Sequence, residues 1–151
     1  MPEYLLLATD DDRQAEEVEA TLARATTVVR RVRTGAEVRR ECEQSLPDLV
    51  LLDLQIGNQG GMAVCMDLRL EEGAGRLGHV PVLMLLDRRP DVFLAKRSGA
   101  EGWLIKPLDS IRLRQAARAL LAGDTYHDAT GAPPPDTPAR PEAPATDAEV
   151  G

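Results

Sequence analysis

The sequence predicts an α/β fold, a doubly wound three-layer sandwich with a five-stranded parallel sheet. Three observations lead there. Five short apolar runs, Tyr4 to Thr9, Thr27 to Val32, Leu49 to Leu52, Val82 to Leu86 and Trp103 to Ile105, are each too compact for a typical helix. Stretches of helical character separate them in strict alternation, and parallel neighbours need such crossovers. Each stretch also carries its own start or stop signal.

In chain order, the first run leads into an acidic turn followed by Val18, Leu22 and Ala25 at helical spacing, with acids at the positive end of the helix dipole. After the second run, Thr34 to Ser45 places Ala36 or Val38 with Cys42 on one face. Gly61 to Leu70 follows the third run and does the same with Val64 and Leu68. Pro90-Asp91 opens a fourth helix as proline in a first turn does, and Gly99 ends it. Asp109 or Ser110 caps the last helix, whose apolar face is Leu113, Ala116, Ala117, Leu120 and Leu121.

The 151 residues suffice for one domain and a short appendage. Apolar residues make up 43% and charged residues 28%, which supports a real core and disfavours collagen, coiled coil and disulfide scaffolds. No apolar run approaches the roughly 20 residues of a membrane span, and Met1-Pro2-Glu3 leads directly into a strand without a signal peptide. The expected location is the cytoplasm. Cys42 and Cys65 stand apart, with no metal-ligand or redox spacing, and read as buried reduced thiols.

The net charge is −7, and from Asp124 onward six acids face one base, Arg140. Acidity is thus mostly a property of the tail, and the near-neutral remainder offers no electrostatic case for nucleic acid or membrane. Six of the eleven prolines fall between Pro133 and Pro144 without any helical or strand period. The expected organisation is a folded domain over residues 3–123 and a disordered tail over 124–151. The interleaved Arg30, Arg31, Arg33, Arg39, Arg40 and Glu37, Glu41, Glu43 read as a solvated face. His79 and His127 look neither catalytic nor ligating.

In sheets of this kind, ligands sit outside the carboxyl ends of the strands at the topological switch point. Asp10, Asp11 and Asp12 follow the first run, Asp53 ends the third, and Lys106-Pro107 follows the fifth. Acids converging on one rim repel one another unless a cation joins them, and hard carboxylate oxygens suit Mg²⁺. A lysine there supplies a point charge for a phosphoryl oxygen, and one acid can serve as nucleophile to form an aspartyl phosphate.

With these residues the chain resembles the receiver domain of two-component response regulators, a flavodoxin-like fold, over roughly Tyr4 to Leu121. Leu-Leu-Ala-Thr-Asp10-Asp11-Asp12 resembles the family's first strand with its acidic pair, and Pro47-Asp48-Leu-Val-Leu-Leu-Asp53-Leu its phosphoacceptor strand. Gly60-Gly61 resembles the Asp-Gly that opens the third helix. Gly99 to Asp109 resembles the fifth-strand motif, in which a cis peptide commonly joins the lysine and proline, here Lys106 and Pro107.

The resemblance implies that Asp53 accepts a phosphoryl group from a sensor histidine kinase or phosphotransfer protein. It further implies Mg²⁺ held by Asp10, Asp11, Asp53 and the backbone carbonyl of Gln55, with Lys106 on the phosphoryl oxygens. The expected protein is a phosphoacceptor with autophosphotransfer and slow self-dephosphorylation, not a separate enzyme. It is expected to stand alone and to signal through a downstream protein partner or a homodimer, without direct nucleic-acid or membrane contact.

Three positions depart from the family. Leu86 stands where a Thr or Ser usually ends the fourth strand, and it has no hydroxyl to donate to a phosphoryl group. Trp103 replaces the usual Tyr or Phe; it reads as core or, preferably, as partner-facing, since a buried indole N–H needs an acceptor. Gly57 stands where proline is usual. Leu86 and Trp103 support an alternative, a pseudo-receiver interaction module that works without phosphorylation. A remoter one is a phosphatase of the haloacid dehalogenase type built on Asp10-x-Asp12, but Arg13-Gln14 follow where that family has Gly-Thr, and the length leaves no cap domain.

Overall fold

The computed structural model describes residues 2–57 and 60–129. Its elements run β1 (Glu3–Ala8), α1 (Asp12–Leu22), β2 (Thr27–Val32), α2 (Gly35–Gln44), β3 (Leu49–Asp53), α3 (Gly61–Gly73) and β4 (Val82–Leu86). A 3₁₀ turn (Arg89–Asp91), α4 (Val92–Ser98), β5 (Gly102–Ile105), α5 (Ser110–Leu121) and β6 (Tyr126–His127) complete the chain order. All strands pair in parallel, in the order β2-β1-β3-β4-β5-β6.

The sheet is doubly wound because its central strands alternate two apolar faces. Leu6, Ala8, Val50, Leu52, Val82, Met84 and Leu86 pack with Val38, Cys42, Val64, Leu68 and Ala95 of α2, α3 and α4. Leu5, Leu7, Leu49, Leu51, Leu83, Leu85 and Leu104 pack on the other face with Val18 of α1 and Leu113, Ala116 and Leu120 of α5. β3 and β4 are buried along their whole length, which explains why they read as unbroken apolar runs.

Local chemistry sets the helix ends. Asp11 caps α1, accepting from the N–H groups of Arg13 at 3.0 Å and Gln14 at 3.2 Å. Thr34 and Glu37 form a capping box at α2, and Asp109 caps α5 by accepting from Arg112 N–H at 2.9 Å. Gly99, at φ 85°, supplies the left-handed residue that stops α4. Ala25 and Ala36 depart from the helical reading: Ala25 is exposed beyond the end of α1, and Val38, not the exposed Ala36, shares the buried face with Cys42.

The sheet has six strands where five were expected, and the domain runs past Gly123. Tyr126 and His127 add to the free edge of β5, opposite Gly102 and Trp103. Asp128 is buried, and its carboxylate accepts from Ile105 N–H at 2.8 Å and from Arg112. Two polar residues carry no strand period, so only their pairing with an open edge makes them a strand. The rest of the expected disordered tail, from residue 130, lies outside the described residues.

Both cysteines are buried and free. Burial pushes the Cys42 thiol up to about 11, with Glu41 and Glu43 adding to the shift, so it is an inert core thiol. Among the described residues no helix is long and apolar enough to cross a membrane.

Candidate phosphoryl-transfer site

The switch point of the sheet lies between β1 and β3, because β2 leaves β1 on one side and β3 pairs on the other. Asp53 ends β3, with its side chain 4% exposed. Its Oδ1 accepts from Lys106 Nζ at 2.9 Å and from the Gln55 backbone N–H at 3.0 Å, and its Oδ2 accepts from the Thr9 hydroxyl at 2.8 Å. A carboxylate this buried needs such charge-assisted partners. Lys106 reaches it from the turn after β5, where the peptide to Pro107 is cis.

Lys106 also donates to Asp87 Oδ1 at 3.0 Å. Burial alone would lower its pKa, but the hydrogen bonds and charges of Asp53 and Asp87 outweigh that and hold it above the ordinary lysine value. The ammonium is therefore a fixed positive charge at the carboxyl ends of β3 and β4.

The three acids after β1 divide by direction. Ala8 pairs with Leu52, so the next residue, Thr9, stands beside Asp53. Thr9 is fully buried there, and its Oγ1 accepts from Asp11 N–H at 3.1 Å as well as donating to Asp53. Asp10 turns to the loop after β3, where its Oδ2 accepts from Gly57 N–H at 3.0 Å. That bond requires an N–H, which proline at position 57 would lack. Asp12 is exposed and paired with Arg31 and Arg33, whose hydrogen bonds hold its carboxyl below the ordinary value.

Of the expected cation set of Asp10, Asp11, Asp53 and the Gln55 carbonyl, Asp11 also serves the helix start through its Oδ1. Its carboxylate caps α1, since the helix begins at Asp12 and its first N–H groups need an acceptor. Among the described residues no group of three or more His, Cys, Asp or Glu side chains is placed to hold a metal. At the rim stand the Asp10 and Asp53 carboxylates and the turn at Gln55, with Asp11 beside them holding α1 through Oδ1. That set fits a hard ion such as Mg²⁺, which keeps several waters and commonly takes one or two carboxylates.

Gly61 positions the whole edge. A Cβ there would meet the Asp53 carbonyl oxygen at 2.7 Å and Leu54 Cα at 2.8 Å, so only glycine lets α3 start against the end of β3.

Leu86 is fully buried in the core, and no hydroxyl stands at the end of β4. Trp103 is likewise core, at 4% exposed, and not partner-facing as preferred from sequence. Its ring stacks on His127 of β6, with centroids 4.2 Å apart and planes 3° from parallel. The strand that covers it was invisible in the sequence, which is why Trp103 looked free.

Two residues of the site escaped sequence reasoning. Thr9 was hidden by the acidic run after it, although strand register with Asp53 would have singled it out. Asp87 had a usable signal, an acid directly after β4, in line with Asp10 and Asp53 at neighbouring strand ends.

Residues 5–118 match the family of the response regulator receiver domain. The chain is 34% identical over 123 residues to the DNA-binding dual master transcriptional regulator RpaA of Synechocystis sp., an alignment covering 80% of this chain and 49% of that protein. It spans about half the length of the curated relatives it matches. The signal receiver domain of a signal transduction histidine kinase from Syntrophus aciditrophicus superposes with a TM-score of 0.70 at 26% identity, covering 91% of this chain and 98% of that one. The receiver domain of a sensor histidine kinase from Pseudomonas aeruginosa PAO1, described with a magnesium ion coordinated in its active-site cleft, shares the fold. Its TM-score is 0.71 at 22% identity, covering 81% of this chain and 99% of that one. With the β1/β3 crevice, the Asp53–Lys106 pair and the match over residues 5–118 in agreement, this chain belongs to the response regulator receiver domain family.

Proposed function

We propose that the chain accepts a phosphoryl group on Asp53 from a sensor histidine kinase or phosphotransfer protein and signals through a protein partner. The observation that carries this reading is the ion pair between Asp53 and Lys106 at 2.9 Å, set at the mouth of the β1/β3 crevice. A carboxylate oxygen of Asp53 attacks phosphorus, the bond from phosphorus to the donor breaks, and the donor leaves with its electron pair. Lys106 stays on the transferred oxygens and offsets their charge, so the residues contribute chiefly position and electrostatics.

Asp10, Asp53 and the Gln55 carbonyl, with Asp11 beside them, would hold Mg²⁺, which when bound neutralises charge on the phosphoryl oxygens. The test is intact mass after incubation with acetyl phosphate, with and without Mg²⁺. A single adduct on the wild type that is lost in Asp53→Asn supports the reading, and its presence in Asp53→Asn overturns it.

A second reading, a module that interacts without phosphorylation, is favoured by Leu86. Its side chain is fully buried, and the loop after β4 has no hydroxyl through which to sense a phosphoryl group. Failure of the wild type to form any adduct selects this second reading.

A further inference from the structure

Lys106 donates to two carboxylates, Asp53 Oδ1 at 2.9 Å and Asp87 Oδ1 at 3.0 Å. Asp53 is the group on which phosphoryl transfer is proposed, whereas Asp87 has no part in that step. Asp87 follows β4 directly and its side chain is 36% exposed, so its carboxylate stands at the open side of the lysine. The adjacent cation, Arg88, is turned to Asp91 at 3.6 Å, and Asp91 in turn accepts from Arg88 N–H at 3.1 Å. Among the described residues Lys106 is the one cation paired with either Asp53 or Asp87.

A phosphoryl group on Asp53 brings anionic oxygens to the same ammonium. A lysine is a compact point charge with three donors. One of those donors is already committed to an anion that is itself repelled by the incoming charge. We propose that Asp87 is a positioning residue that acts as an internal anion on Lys106, so that phosphorylation of Asp53 works against the charge Asp87 keeps on the lysine. This inference rests on the phosphoacceptor reading and adds a determinant of its rate. Asp87 occupies Lys106 before transfer and competes with the transferred group after it. The wild type should therefore phosphorylate slowly and hold the group poorly.

The experiment measures the rate of adduct formation by intact mass with acetyl phosphate in Mg²⁺ buffer, on the wild type, Asp87→Asn, Asp87→Ala and Asp87→Glu. In the step measured, an Asp53 oxygen bonds to phosphorus as the bond from phosphorus to the acetyl oxygen breaks, and acetate leaves with that electron pair. Asp87→Asn and Asp87→Ala should both react about five- to tenfold faster, the scale of removing one partly solvated charge beside the reacting anion. Asp87→Glu, which keeps the charge, should stay near the wild-type rate. Ordering by charge separates this role from a structural one, which would order the variants by size. Rates within twofold of wild type for Asp87→Asn and Asp87→Ala, with adduct formed on Asp53, overturn the inference and leave the phosphoacceptor reading standing. No adduct on any variant overturns both.

Discussion

Thr9 offers the sharpest test of how the pocket is held. Its hydroxyl is fully buried and donates at 2.8 Å to a carboxylate that is itself 4% exposed. A hydrogen bond of this charge-assisted kind contributes about 1.5–3 kcal/mol. The same oxygen accepts from Asp11 N–H at 3.1 Å, a partly buried bond worth about 0.5–1.5 kcal/mol. Thr9→Val keeps the shape and deletes both bonds, so it should destabilise the fold by about 2–4 kcal/mol. Only the Asp53 component should vanish when Asp53 is absent. Urea denaturation of the wild type, Thr9→Val, Asp53→Ala and the double variant forms a cycle whose coupling term should be about 1.5–2 kcal/mol. A coupling under about 0.5 kcal/mol would refute the reasoning, because the hydroxyl would then not be holding Asp53.

Asp10→Asn removes a carboxylate from the proposed cation site and should lower Mg²⁺ affinity about tenfold, read by calorimetry. An unchanged affinity would mean that Asp10 takes no part in the cation site. Asp128→Ala removes the acceptor of Ile105 N–H and the partner of Arg112; it should cost about 2–3 kcal/mol and shift the emission of Trp103, the sole tryptophan, to the red as β6 loosens. Gly61→Ala drives a methyl against backbone atoms at 2.7 and 2.8 Å that cannot rotate away, and should destabilise by about 1–3 kcal/mol in thermal unfolding. Acid should weaken the fold. Hydrogen bonds from Arg76 to Glu71 and from Arg112 N–H to Asp109 hold those carboxyls below their ordinary values of 4.5 and 3.8. Their contribution is present above the unfolded-state values and lost as pH falls through the lower folded ones, so the urea midpoint should stay level down to about pH 5 and drop below about pH 4.

The fold was legible in the sequence because its signals are local and repeated. Strands buried on both faces must be continuous apolar runs, as Leu49–Asp53 and Val82–Leu86 are, and helices packed on one side must repeat their apolar residues at 3.6. Asp53 and Lys106 were legible for the same reason: each directly follows such a run, and in parallel sheets all strand ends of one kind meet at one edge. The tertiary structure decided what adjacency in sequence cannot. Three consecutive aspartates after β1 look equivalent, but the chain turns within them, so strand register sets Thr9 against Asp53 while the helix start claims Asp11 as its cap. β6 carries no period of its own and exists through pairing with β5, which in turn buries Trp103 against His127. Asp87 and Lys106 lie nineteen residues apart and meet at 3.0 Å only because β4 and β5 are neighbours in the sheet. Periodicity determines which faces are buried; direction, register and partner choice are set when the strands are laid side by side.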